Sequence, residues 1–201
     1  MNGLQKLLSQ KKQRIADLNK TIDTLYNDFK VHDSIDINLE LGAGHGHWLT
    51  SFSEKKEGEL FLGIDLISKR VEKANQKIKK RNLENVLFLK AEAIELLQSL
   101  PSYISIKNCY IMYPDPWPKK RHHKRRLVNE YFLELLAFKC KNSSKLFFMT
   151  DHDQYFTWSK SKILLSKFWS LVEGNWPHSE ISYFQDLLPQ NNFLIAEHHI
   201  S

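Results

Sequence analysis

Asp115 and Trp117 stand among three prolines, Pro114, Pro116 and Pro118, and Lys119-Lys120-Arg121-His122-His123-Lys124-Arg125-Arg126 follows at once. Prolines fix φ and remove backbone donors, so this stretch is a stiff loop and neither mid-helix nor central strand. The apolar run Cys109-Tyr110-Ile111-Met112-Tyr113 before it reads as a strand. A rigid loop at the carboxyl end of a buried strand is where open α/β sheets carry out chemistry. A fixed carboxylate beside six Lys and Arg residues between 119 and 126 suits a site that acts on a polyanion. The plainer reading of such a run is a solvated basic loop.

A second constellation lies upstream, in Glu40-Leu41-Gly42-Ala43-Gly44-His45-Gly46. Glycines let a backbone turn tightly and approach a ligand closely. The spacing is GxGxG, and His47 stands where a dinucleotide fingerprint places its third glycine. Glu40 precedes the first glycine by two residues. A carboxylate there repels a pyrophosphate and attracts a cationic amino-acid moiety, which favours S-adenosylmethionine over NAD. Asp65 ends the next apolar run and can accept both hydroxyls of a ribose, while Glu92 follows the third and can reach an adenine amino group. Each of these acids alone reads as a helix N-terminal acid stabilised by the helix dipole. Together, at the ends of three consecutive strands, they describe a cofactor cleft.

The elements that must hold these residues alternate. Strands are expected at Ile35–Leu41, Glu59–Asp65, Asn85–Leu89, Lys107–Tyr113 and Lys145–Thr150. Helices are expected at Gly46–Phe52, Ser68–Arg81, Ala93–Leu100, Val128–Lys139 and Tyr155–Trp169. Two late β-rich pieces, Ile181–Gln185 and Asn192–His199, read as an edge hairpin. This is an α/β chain with a Rossmann-like, mostly parallel seven-stranded sheet, helices on both faces and an antiparallel edge hairpin. Ahead of it, Leu4, Leu8, Ile15, Leu18, Ile22, Leu25 and Phe29 form one helical stripe. Residues 1–30 are therefore expected as an amphipathic helix laid on the core, and 31–201 as the catalytic domain; a partner-binding helix is the alternative.

On these residues the chain resembles the bacterial tRNA (guanine-N7)-methyltransferases over roughly residues 35 to 201. The likeness is most specific from Pro114 to Arg126 and continues in the Glu40-to-Gly46 loop and in Thr150-Asp151. The resemblance implies S-adenosylmethionine-dependent methylation of guanine N7 in the variable loop of tRNA, at tRNA position 46. It also implies cofactor contacts from Glu40, Gly42, Gly44, Asp65, Glu92 and Asp115, with Asp115 catalytic, and substrate contacts from Lys119 and Asp151. Near the C-terminus the family carries a substrate-contacting Thr-x-Phe/Tyr-Glu; the resemblance puts Ser182-Tyr183-Phe184-Gln185 in that substrate-binding place, with an amide for the acid. A second departure is Asp65, where many members have Glu. Rival readings are a methyltransferase of another nucleic-acid base, a non-catalytic tRNA-binding protein or chaperone on the same fold, and an NAD-dependent oxidoreductase.

Bulk properties bound the rest. At 201 residues one domain is the default, and a net charge of +6 agrees with a nucleic-acid partner. Cys109 and Cys140 are the two cysteines and form neither a disulfide framework nor a CxxC site, so a reducing cytoplasm is expected. No run has the length or apolarity of a membrane span or signal core. Nothing completes a tetrahedral set around His122 and His123, so no metal is expected. Monomer and homodimer both stay open.

Overall fold

The computed structural model describes residues 3–26, 34–178 and 192–200. Strands β1 (Ile35–Leu41), β2 (Leu60–Asp65), β3 (Val86–Lys90), β4 (Ile104–Met112), β5 (Cys140–Thr150), β6 (Trp169–Val172) and β7 (Asn192–His198) form one sheet in the order β3-β2-β1-β4-β5-β7-β6. The first five run parallel, and β7 is antiparallel to both β5 and β6. The chain winds outward from β1 through β2 to β3, then crosses back to lay β4 on the other side of β1. That reversal is a topological switch point, and the crevice beyond it is where ligands of such sheets bind.

The central strands are apolar on both faces because helices cover both. In β1, Ile35, Ile37, Leu39 and Leu41 point into the core shared with α4 (Ala93–Ser99) and α5 (Glu130–Ala137). The alternate residues Asn38 and Glu40 face the opposite side, where Trp48, Phe52, Phe61, Tyr110 and Phe147 pack as an aromatic cluster. Period-two alternation thus delivers a buried carboxylate to the sheet's last register before the crevice. Helices α2 (His47–Glu54), α3 (Ser68–Arg81) and α6 (Asp153–Leu164) complete the βα units. Local signals mark their ends: Asn129 caps α5 by accepting from Phe132 N, and Glu92 caps α4 by accepting from Glu95 N at 2.9 Å.

Helix α1 (Gly3–Tyr26) carries the expected stripe from Leu8 to Leu25 and is docked by its C-terminal half, while the expected continuation to Phe29 lies outside the described residues. Ile22 and Tyr26 are fully buried, while Leu7 and Leu8 are exposed. Arg14 grips Glu95 of α4 bidentately, at 2.9 and 2.6 Å, and Asn19 donates to the carbonyl of Ser99.

Two expectations change at the antiparallel edge. The helix expected over Tyr155–Trp169 ends at Leu164, and Trp169–Val172 is a strand. Phe168 to Val172 is an apolar run directly after a helix, and periodicity does not separate a short buried strand from a helix continuation. The strand beside β7 is therefore β6; the expected Ile181–Gln185 piece lies outside the described residues.

Gly46 shows how tightly the first βα turn is packed. It sits at φ 68°, and a Cβ there would lie 2.6 Å from the Phe88 ring and 2.8 Å from the Ala74 methyl. Gly46→Ala should lower the stability of the fold by about 2–4 kcal/mol, measured by urea denaturation, because strain and overpacking act together.

Candidate functional site

The sheet register aligns the loops that matter. Leu41 lies beside Ile64 and Ile111, Asp65 beside Lys90, and Met112 beside Met149. Glu40, Asp65, Glu92, Asp115 and Asp151 therefore all stand at the carboxyl edge, on five neighbouring strands or the loops directly after them.

Glu40 is the least ordinary of them. Its side chain is buried, and Oε2 has no hydrogen-bond partner. Burial, with a smaller contribution from the nearby Asp65 charge, pushes its carboxyl up to about 8. Beside it the chain turns through Gly42, Gly44 and Gly46, all at positive φ. The amides of Gly42 and Ala43 both donate to Ile64 O. A Cβ on Gly42 or Gly44 would meet nothing within 4 Å, so an open cradle lies against these two glycines. Gly46, by contrast, is a packing glycine.

Asp65 ties the cradle together. Its Oδ2 accepts from Gly44 N at 3.0 Å and its Oδ1 from Ile67 N at 2.8 Å, with Arg70 3.5 Å away. Each oxygen keeps one further lone pair for a diol. Glu92 uses Oε2 as the cap of α4, so the helix-terminal role is real for this acid, and its other oxygen accepts no hydrogen bond among the described residues. Around the rim Lys77 Nζ donates to His45 O and lies 3.0 Å from His47 Nε2. Desolvation and the neighbouring lysines and arginines hold both histidines below their usual range.

The proline loop is strained on both sides of its acid. Tyr113 and Trp117 have φ of 50° and 45°, in the left-handed region. Bulky residues there cost about 1–3 kcal/mol each and persist only where surrounding structure over-determines them. The source of that constraint is Arg126. Its guanidinium is buried at 1% exposure; Nε donates to Pro116 O at 2.9 Å and Nη1 to Gln154 O at 3.5 Å. The cation also packs against the rings of Tyr155 and Trp158, at 5.1 and 5.3 Å. Tyr113 is fixed through its amide to Met149 O. Asp115 and Asp151 are left exposed, and neither takes a hydrogen bond among the described residues.

The structure thus splits the cationic run. Lys120–Arg125 form an exposed or half-exposed 3-10 segment after the proline loop, with Arg125 4.8 Å above the Trp117 ring. Arg126 is instead the internal strut of the loop. Nothing in a run of like charges distinguishes its last member, so this role was not legible. Lys119 caps the head of the segment and is exposed. Ser182, Tyr183, Phe184 and Gln185 lie outside the described residues. Among the described residues no cluster of three or more His, Cys, Asp or Glu is placed to hold a metal.

A doubly wound sheet with a glycine cradle and buried acid at its switch point, facing a rigid acid-bearing loop, defines a Rossmann-like methyltransferase fold. Solved structures agree: an rRNA methylase from Streptococcus thermophilus superposes at TM-score 0.55 over 83% of this chain and 87% of that one, at 12% identity. A putative methyltransferase from Streptococcus mutans, solved with SAH, does so at 0.52 over 83% and 90%, at 13% identity. A family model described as putative methyltransferase matches residues 35–184. The tRNA (guanine-N(7)-)-methyltransferase of Prochlorococcus marinus is 32% identical over 70% of this chain and 68% of its own length. That of Wolbachia pipientis is 34% identical over 76% and 66%, and that of Syntrophotalea carbinolica 38% identical over 58% and 50%. The chain belongs to this methyltransferase family, with the tRNA (guanine-N(7)-)-methyltransferases as its curated relatives. It spans between half and about two thirds of the length of those three.

The raised Glu40 carboxyl has a measurable sign. Between pH 4.5 and about 8 the unfolded chain has released this proton while the folded protein retains it, so stability falls as pH rises through that window. Glu40→Gln should remove this slope and raise stability at pH 8 by roughly 1–3 kcal/mol, read from denaturation curves at pH 5 and pH 8.

Proposed function

We propose that the protein transfers a methyl group from S-adenosylmethionine to N7 of a guanine in the variable loop of tRNA. The observation that carries this reading is Glu40. A buried carboxylate with an unpartnered oxygen, at the floor of an open glycine cradle, calls for a cationic group as its partner. An α-ammonium meets that need and a pyrophosphate does not. Glu40, Gly42 and Gly44 would hold the amino-acid end of the cofactor, Asp65 the ribose and Glu92 the adenine. Bound there, S-adenosylmethionine supplies an electrophilic methyl group on a sulfonium.

Guanine N7 carries an in-plane lone pair and needs no deprotonation to attack. The protein's task is in-line placement and exclusion of water. Positive charge enters the purine as the methyl arrives, so the ring's N1 and amino hydrogens become stronger donors. A carboxylate bonded to that edge binds the transition state more tightly than the ground state. Asp115 and Asp151, exposed on loops after the adjacent strands β4 and β5, would take this role. The exposed cations from Lys119 to Arg125 offer contacts to RNA phosphates. The unpaired cysteines fit a cytoplasmic setting.

The deciding assay is methyl transfer from radiolabelled S-adenosylmethionine to unmodified tRNA, with the modified base mapped by cleavage at 7-methylguanine. Label in a variable-loop guanine is expected; tRNA and cofactor binding without transfer would favour the non-catalytic reading. Asp115→Ala should cut kcat about a hundredfold or more with the fold intact, and near-normal turnover would remove its catalytic role. Lys119→Ala should weaken tRNA binding and lower the slope of log affinity against log salt by about one contact's worth; an unchanged slope excludes direct phosphate contact.

Cofactor binding should also carry the signature of Glu40. An ammonium partner favours the carboxylate, so binding below pH 8 should release a proton and strengthen as pH rises toward 8. Calorimetry in buffers of different ionisation enthalpy detects that proton, and Glu40→Gln should abolish it.

A further inference from the structure

Between the 3-10 segment and α6 runs an open groove of about 700 Å³. One wall carries Pro118, Lys120 and His123; the other is a face of α6 bearing Gln154, Thr157, Trp158 and Ser161, at helical steps of three, one and three residues. The groove shares Pro118 with the proline loop, and α6 begins two residues after Asp151. It therefore continues the crevice in which the reacting base would sit.

Arg126 lies against this groove with an unmet requirement. It is almost completely buried, no carboxylate pairs with it among the described residues, and its Nη2 has no hydrogen-bond acceptor. A buried cation without a counter-charge is costly and draws an anion toward it. Lys120, exposed, lines the same groove, while Lys162, 5.1 Å from the Trp158 ring, is paired with Glu130 at 2.8 Å and is not counted toward it. The single carboxylate lining the groove among the described residues, Asp153, accepts from Asn192 Nδ2 at 2.9 Å. The side-chain amide of Gln154 and the hydroxyl of Thr157 are both exposed, and neither has an intramolecular partner among the described residues. A positive floor and rim, an apolar proline wall and two uncommitted polar groups match a phosphate linked to a planar polar base. The volume is ample for one nucleotide.

We infer that this groove is a second nucleotide subsite, which takes the nucleotide next to the methylated guanosine in the RNA strand. Its phosphate lies over Lys120, within the field of Arg126, and its base packs on Pro118 and meets Gln154 and Thr157. The inference rests on the tRNA reading above and extends it to a residue set that the proline loop alone does not contain. Anchoring the neighbouring nucleotide fixes the strand on one side of the target, which helps to hold a single guanine out of its stack.

The test uses Thr157→Glu, an exposed change that puts a carboxylate into the groove, with Ser102→Glu near the start of β4 as a charge-matched control on the opposite edge. The readouts are tRNA affinity at several salt concentrations, KM and kcat for tRNA, and affinity for S-adenosylmethionine. Thr157→Glu should weaken tRNA binding and raise KM about tenfold, leave kcat within about twofold and leave cofactor affinity unchanged. Placing the photoreactive residue p-benzoylphenylalanine at position 157 should give a cross-link that maps within a nucleotide or two of the variable-loop guanine. Unchanged tRNA affinity in Thr157→Glu, an equal loss in Ser102→Glu, or cross-links confined to a distant arm of the tRNA would each overturn the subsite. Affinity and cross-linking need no methyl transfer, so a wild-type protein that binds tRNA without methylating it would refute the activity while the groove is still judged on its own.

Discussion

Parallel strands end together, and everything chemical in this protein follows from where β1 puts its last inward-facing polar side chain. Period-two alternation sends Glu40 to the buried face one residue before the strand ends, where its Oε2 is shut off from water and meets no donor among the described residues. The fold tolerates this because the carboxyl keeps its proton until about pH 8. It is a local loss of stability retained at the switch point of the sheet, and the glycines beside it keep the space open. Asp65 then fastens the cradle from the neighbouring strand by accepting from Gly44 and Ile67, so the two acids divide the work: one shapes the loop while the other waits for a charge.

The proline loop is governed by a different balance. Its two left-handed residues bracket Asp115, and its local hydrogen bond from the His123 ring to Pro118 O is long at 3.4 Å. Arg126 holds it from below by joining Pro116 to α6 and stacking its guanidinium on Tyr155 and Trp158. A residue that reads as the last member of a basic patch is therefore an internal brace. The residues before it, exposed or half-exposed, keep their charges at the surface. One short segment thus supplies both a rigid acid and a cationic surface, because its final side chain turns inward and the others do not.

Much of this was legible in the residues. The parallel sheet follows from strand-helix alternation, and β1 and α3 fall on the residues where periodicity puts them. The cluster of acids at one edge follows from their placement after consecutive apolar runs. The Glu92 cap shows how one acid can satisfy two readings at once. Other features had no local signal. The β6 strand merges into the helix before it, since Phe168 to Val172 is apolar in either period. The left-handed conformations of Tyr113 and Trp117 belong to no sequence preference of those residues; tertiary contacts impose them. The polar face of α6 carries no charge cluster and becomes meaningful only once the loop is packed beside it.

The Arg126 brace has a consequence for the order in which the molecule comes together. The strained turns at Tyr113 and Trp117 are bearable only when Pro116 is anchored, and the anchor needs Gln154, Tyr155 and Trp158, roughly thirty to forty residues further along. A growing chain can form β1 to β4 and their helices with the proline loop still relaxed. The loop's shape depends on contacts that exist only with the fifth strand paired and the following helix docked. A half-assembled molecule therefore presents the basic segment without a fixed acid beside it, and the capacity for chemistry arrives last, as a report that the far half of the sheet is in place.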